Sequence, residues 1–282
     1  MGSEYVVPLN DDFLKMVVFL LDKEGGNPTG TGFLVNVHHE GVSDHTYLVT
    51  AKHVIDNEIH TFMRFRTASG TIHDHPLQQW EFDDYEDLAV QAVDFAPIQP
   101  KAVYFAYDLD DAIDRNHLPN DDRLLGEQIY FIGVLERLKD SMGSTMIPMV
   151  RSGTIGTLNQ PNVPLENGTS VTAHLIDGRS LSGFSGSPCF VYRTNVANEL
   201  EGAIMQVSTR LLGIVVAHFD DLKDVSGELP KKLNSGVIAV LPVERLRALL
   251  DREDIVQARQ DALDQYLKHH LELSAESNID GD

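Results

Sequence analysis

Cysteine is nearly absent: Cys189 is the single one in 282 residues, so no disulfide can form within the chain, and a reducing compartment is the simpler setting. Long apolar runs are missing too. None approaches the ~18 uninterrupted apolar residues that a membrane-spanning helix needs, which excludes such a span. Positive charge is scarce, with 22 Lys and Arg against 43 Asp and Glu and a net charge of −21. That balance argues against a nucleic-acid surface and against docking on anionic lipid. Met1 to Asn10 carries no basic stretch followed by an apolar run and a small-residue cleavage site. A cytoplasmic location is therefore expected, and a secreted one only if a leader has been removed. Repeats and low-complexity segments are absent as well.

What the chain has in quantity is short apolar runs, rich in β-branched residues and broken by Gly, Pro, Asn and Asp. They read as strands at Met16 to Leu21, Phe33 to Val37, Thr46 to Thr50, Thr61 to Phe65 and Leu88 to Val93. Six more follow, at Gln128 to Gly133, Met146 to Gly153, Val171 to Leu175, Pro188 to Tyr192, Leu211 to Val216 and Gly236 to Leu241. So many short strands without long helices between them predict barrels or a sandwich. Residues 107–124 are acidic and poor in strand formers, and read as a linker. After Pro242 the period changes. Val243, Leu246, Leu249 and Leu250 make one helical stripe, and Ile255, Ala258, Ala262, Leu263, Tyr266, Leu267 and Leu271 continue at helical spacing.

Three stretches carry chemistry, in the order His, Asp, Ser. Leu48-Val49-Thr50-Ala51-Lys52-His53-Val54 sets one of the twelve histidines at the end of a strand. A histidine titrates near neutral pH, so it can take a proton from a nucleophile and return it to a leaving group. Asp87-Leu88-Ala89-Val90 starts an apolar strand with a carboxylate that can orient that ring. Glu81, Asp83, Asp84 and Glu86 precede Asp87, and Asp84 is the substitute candidate. Gly183-Phe184-Ser185-Gly186-Ser187-Pro188 offers a serine in a glycine turn. Its hydroxyl becomes a nucleophile once a base removes the proton, and the turn can aim backbone N–H groups at a developing oxyanion.

Together these motifs resemble the trypsin/chymotrypsin-like serine peptidases, and more closely their disulfide-free bacterial branch, over roughly residues 13–250. The resemblance implies an all-β fold of two antiparallel six-stranded-type β-barrels with C-terminal helices. It divides the chain into an N-terminal extension (1–12), a first barrel (13–106), the interbarrel linker (107–124), a second barrel (125–242), C-terminal helices (243–273) and a disordered tail (274–282). It implies a serine endopeptidase with His53 as general base and then acid, Asp87 orienting it, Ser185 as nucleophile, the amides of Gly183 and Ser185 as oxyanion donors, and no cofactor or metal. Two departures matter. Phe184 stands where zymogen-activated relatives place an Asp that pairs with a newly cut N-terminus, so activation by cleavage is not expected. Ser187 replaces a second Gly.

Specificity is less sharply written. Leu212 to Val216 resembles the strand that binds the substrate backbone, and Gly236 to Ala239 the strand that closes the pocket. The position six before the serine, acidic in trypsin, is Arg179 here, which disfavours Arg or Lys side chains. With His218 beyond Val216 and Ala217, and Gly236 on the wall, two readings stand open: a pocket for Glu or Asp, if Arg179 points inward, or a small or apolar pocket, with Arg179 turned to solvent. The partner is then a protein or peptide substrate. The apolar stripe of the second helix, about residues 254–273, either packs on the barrel or offers a further surface, for a regulatory protein or for self-association.

Other readings fare worse. An α/β-hydrolase elbow would need Gly at position 187, alternating helices, and Asp and then His well after the serine. Adjacent histidines at His38-His39 and His73-Asp74-His75 lack further ligands at metal spacing. An inactive module of the same fold, serving as a protein-binding scaffold, is the alternative function. An indiscriminate protease would damage its own cell, so narrow or partner-gated specificity is expected.

Overall fold

The computed structural model describes residues 9, 11–38, 45–55, 62–66, 71–77, 79–94, 105–113, 124–135, 138–165, 168–179, 182–199, 202–223 and 231–277. The first half is built from β1 (Val17–Leu21), β2 (Pro28–Val37), β3 (His45–Thr50), β4 (Phe62–Arg66), β5 (Ile72–Pro76), β6 (Glu81–Phe82) and β7 (Ala89–Ala92). They lie in the order β5-β4-β1-β2-β3-β7-β6, and β8 (Tyr107–Asp108) joins β2 in parallel. The second half contains β9 (Gln128–Gly133), β10 (Met149–Pro164), β11 (Ser170–Asp177), β12 (Pro188–Glu199), β13 (Gly202–Lys223) and β14 (Lys231–Pro242). These six close into a barrel, in the order β10-β11-β14-β13-β12-β9.

The fold is therefore all-β with C-terminal helices, as expected, but only the second unit closes among the described residues. The first remains an open sheet with β5 and β6 at its edges. The cause lies in those edge strands. β6 is two residues long and β5 reads Ile-His-Asp-His-Pro, too short and too polar to join edge to edge.

β1 shows how the units are joined. All five of its residues are buried. Val18 and Leu20 point into the first unit with Leu34, Leu48 and Met63. Val17 and Phe19 point the other way, into a core shared with Ile132, Val134 and Ile214 of the barrel. A strand with both faces buried reads as a continuous apolar run rather than an alternating one. The barrel interior has its own cluster, including Phe131, Ile155, Phe184 and Val215.

Helices fill the margins: α1 (Asp11–Lys15), α2 (Lys52–Ile55), α3 (Lys139–Thr145), α4 (Val243–Leu250) and α5 (Glu253–Ser277). α3 displaces the expected start of β10. Met146 caps it in the left-handed region, and its N–H returns to the Met142 carbonyl, so the strand begins at Met149. α5 runs on to Ser277, so Ser274 to Ser277 are helical where a tail is predicted; residues 278–282 lie outside the described residues, as do His39, His60 and 114–123 of the linker. The described start of the linker is packed, not solvated. Tyr107 donates its hydroxyl to the Asp111 carbonyl (3.0 Å) and accepts the Leu211 N–H (3.2 Å), and burial pushes the phenol up to about 12. Arg247 of α4 binds the Ile113 and Leu109 carbonyls at 2.8 and 2.9 Å.

At the sheet edge, Arg64 on β4 grips Asp74 on β5 with both ends of its guanidinium, Nε to Oδ1 at 2.6 Å and Nη2 to Oδ2 at 2.7 Å. The Gly25 N–H adds a third bond. Burial pushes the Asp74 carboxyl up, but Arg64 and Gly25 together hold it below its ordinary value of 3.8. A carboxylate depressed by folding contributes stability that is complete above its unfolded pKa and is lost as pH falls through the folded one. Asp74→Asn is accordingly expected to cost about 3–5 kcal/mol at pH 7. Thermal melts at a series of pH values should show the gap from wild type closing once pH drops below 3.8.

Candidate active site

His53 sits on α2, the short turn into which the chain bends after β3. Ala51 is fully buried there, and Lys52 reaches across to the Asp83 carbonyl at 3.3 Å with its ammonium 5.6 Å from the centre of the Phe82 ring. The acid comes from the loop between β6 and β7. Asp83 shapes that loop by accepting the Tyr85 and Glu86 N–H groups at 2.8 Å each, an Asx turn that mimics a backbone turn. The turn leaves Asp84 exposed and buries Asp87.

Asp87 then holds His53 twice. Oδ2 lies 2.6 Å from the ring Nδ1, and Oδ1 accepts the His53 backbone N–H at 2.8 Å. The carboxylate is 4% exposed and the imidazole 39%. An ionised carboxylate only accepts, so the pairing places the ring proton on Nδ1 and leaves the Nε2 lone pair available as a base. The C-terminal helices brace this loop from behind. Arg245 pairs with Glu86 at 3.2 Å, and Arg252 donates to the Phe82 carbonyl at 2.7 Å. Burial pushes the Glu86 carboxyl up, with Arg245 pulling against it.

The serine arrives from the other unit. Gly183 and Gly186 adopt φ of +103° and +83°, a region L side chains rarely enter. Gly186 also runs so close to β2 that a Cβ there would lie 2.2 Å from the Thr31 carbonyl oxygen. Phe184 anchors the turn in the barrel core, edge-on to Phe131 at 5.3 Å. Where trypsin-like zymogens carry an acid, this chain thus has a packing residue. The turn is tied down by Gly186 N–H to the Val215 carbonyl (2.8 Å) and Ser187 N–H to the Phe184 carbonyl (3.0 Å). It is also tied to β2, where Thr31 donates its hydroxyl to the Gly183 carbonyl at 2.8 Å and its N–H to the Ser185 carbonyl at 3.4 Å. Among the described residues, neither the Gly183 nor the Ser185 N–H has a hydrogen-bond partner. Ser187 is fully buried with its Oγ unpaired.

His53, Asp87 and Ser185 line one cavity of about 330 Å³, walled by Leu165, Val216, Ala217 and His218. No hydrogen bond joins Ser185 Oγ to His53 within it. The lining thus takes in most of the residues singled out in the sequence, and leaves three outside it: Gly183, two residues before Ser185 on the same turn, Arg179 and Gly236. Arg179 is exposed and does not line the cavity. Gly236, at φ +82°, spends its carbonyl on the Gly178 N–H at 2.7 Å and also stands outside the lining. Leu165, from the β10–β11 hairpin, was not foreseen and has no local signal. Thr31 was also missed, although a polar residue between two glycines at the start of a buried strand is a legible oddity.

Cys189 is buried and its thiol is pushed up by that burial, which keeps it unreactive. His38 lies near Asp108 and Asp110, with donor atoms within 4.8 Å of one another. His38 pairs with Asp108 at 2.5 Å, and Asp108 also caps the turn at Asp110, so the cluster is internally satisfied.

The family model for a trypsin-like peptidase domain matches residues 30–197, more than half the chain. The solved MamO protease domain from Magnetospirillum magneticum (apo form) is similar at a TM-score of 0.48 and 17% identity, over 85% of this chain and 98% of that one. Deg5 is similar at a TM-score of 0.49 and 16% identity, over 84% of this chain and 88% of that one. No curated protein matches the sequence.

A proton held between His53 Nδ1 and Asp87 at 2.6 Å is expected to give a strongly downfield proton NMR signal. Asp87→Asn should abolish that signal and Asp84→Asn should leave it unchanged.

Proposed function

The chain belongs to the trypsin-like peptidase family, and from that premise we propose that it is a serine endopeptidase. The reading rests on one observation: His53, held by Asp87, and Ser185 line a single cavity although they come from opposite units. In this mechanism His53 Nε2 takes the Ser185 proton as Oγ attacks the scissile carbonyl. The negative charge that develops on the carbonyl oxygen is met by the Gly183 and Ser185 N–H groups, which are free among the described residues. His53 then protonates the departing amine, giving an acyl-enzyme, and activates a water that releases it. Asp87 keeps the ring in the reactive tautomer and balances its positive charge. No metal or cofactor takes part in these steps. The substrate is a protein or peptide lying along Val216 and Ala217.

A preference for Glu or Asp next to the cleaved bond is part of the proposal, and it now rests on His218 alone, since Arg179 does not line the cavity. An imidazole can pair with a carboxylate once protonated. On a mixed peptide library, the wild-type protein is expected to favour acidic residues, and His218→Ala to flatten that preference while cleavage continues.

A second reading, an inactive scaffold of the same fold, draws on the missing bond between Ser185 Oγ and His53. Such contacts often tighten only when substrate binds. A fluorophosphonate probe separates the two readings. Labelling of Ser185, absent in Ser185→Ala and slowed by roughly 10⁴ in Asp87→Asn, is the expected result. No labelling of the folded wild-type protein would favour the scaffold.

A further inference from the structure

The two units carry the base and the nucleophile separately, so something must fix one against the other. Thr31, on β2 of the first unit, is fully buried and meets both. Its Oγ1 donates to the Gly183 carbonyl at 2.8 Å and accepts the Val134 N–H at 3.0 Å, which uses the hydroxyl's proton and one of its two lone pairs. Its own carbonyl accepts the Thr50 hydroxyl at 2.8 Å, and Thr50 is also fully buried, three residues before His53. Its N–H points to the Ser185 carbonyl at 3.4 Å. All four polar contacts of one residue therefore end on the nucleophile turn, on the strand that leads to the histidine, or on the chain leaving β9.

The bond to Gly183 matters most. Gly183 lies at φ +103°, without a Cβ, and is one of the two freely rotating residues of the turn. It is also a residue whose N–H must stay aimed at the oxyanion. Pinning its carbonyl fixes the peptide plane on the far side of the Gly183 Cα, and so leaves the turn fewer ways to carry that N–H out of place. We infer that Thr31 is a positioning residue: its hydroxyl holds Gly183, and with it the oxyanion donor, in register with His53. This rests on the peptidase reading above and names a residue that the three motifs do not include.

The test is the second-order rate at which a fluorophosphonate labels Ser185 in the full chain, followed to completion so that the rate per folded molecule is separated from the folded fraction. Thr31→Val keeps the shape and deletes the hydroxyl. It is expected to label to the same end point, but about 10- to 100-fold more slowly, as for other small misplacements of catalytic groups. Thr31→Ser keeps the hydroxyl and is expected to restore the rate to within about threefold of wild type. A Thr31→Val rate equal to that of wild type overturns the proposal, and so does a normal rate with a reduced end point, which would mean a role in folding alone. Should Thr31→Val fail to fold, Thr31→Cys decides. Serine and cysteine differ there in donor strength, so the cysteine variant should be the slower, and equal rates for the two overturn the proposal. Failure of the wild-type protein to label is a different outcome, and sinks the peptidase reading itself.

Discussion

The buried carboxylate of Asp87 is the group on which the rest of the site depends. It is 4% exposed, and a charge so far from water needs partners at both oxygens. It finds them on a single residue, the ring and the backbone N–H of His53. That double grip fixes the tautomer, the ring orientation and the position of α2 at once. Much of the first unit serves it. The Asx turn at Asp83 presents the acid, β3 delivers the histidine, and Arg245 and Arg252 of the C-terminal region hold the loop from outside.

The turn that carries Ser185 obeys a different constraint. A turn with two residues at positive φ has little intrinsic preference for one shape, so its geometry comes from what it touches. Phe184 locks it into the barrel core, and β2 of the other unit presses on its outer side. The barrel thus supplies rigidity and the first unit supplies placement. The shared core around β1 is what keeps the two from shifting against each other. Deleting any one large side chain from such a core typically costs about 2–5 kcal/mol, so the active-site register is insured by packing as well as by hydrogen bonds.

Much of this was legible in the sequence, for physical reasons. Eleven strands announced themselves because β-branched runs bounded by turn residues have few alternatives. His53, Asp87 and Ser185 stood out because Thr50-Ala51-Lys52-His53, Asp87-Leu88-Ala89-Val90 and Gly183-Phe184-Ser185-Gly186-Ser187-Pro188 resemble motifs of the trypsin-like peptidases. Choosing Asp87 over Asp84 depended on the apolar strand that follows it, and the Asx turn explains why that worked. Other features depend on contacts between distant segments, which local pattern does not carry. Among the described residues the first sheet ends at the two-residue β6, and nothing in Glu81-Phe82 says where a ladder ends. Counting back from the serine brought Arg179 forward as a pocket residue or one turned to solvent, and it is exposed. Leu165, just past the end of β10, lines the cavity although it is distant in sequence from the three motifs. Residues 107–113 looked like a linker because they are acidic, yet Tyr107 and Leu109 are buried.

The central claim is that Ser185, His53 and the N–H groups of Gly183 and Ser185 converge on one reacting carbonyl. The most direct measurement is a crystal structure of the protein with a peptide boronic acid, which mimics the tetrahedral intermediate. The account predicts boron bonded to Ser185 Oγ, one boronate oxygen about 3 Å from both N–H groups, and the other facing His53 Nε2. A boronate lying in the cavity without a bond to Ser185, or with both oxygens turned away from those N–H groups, would contradict it.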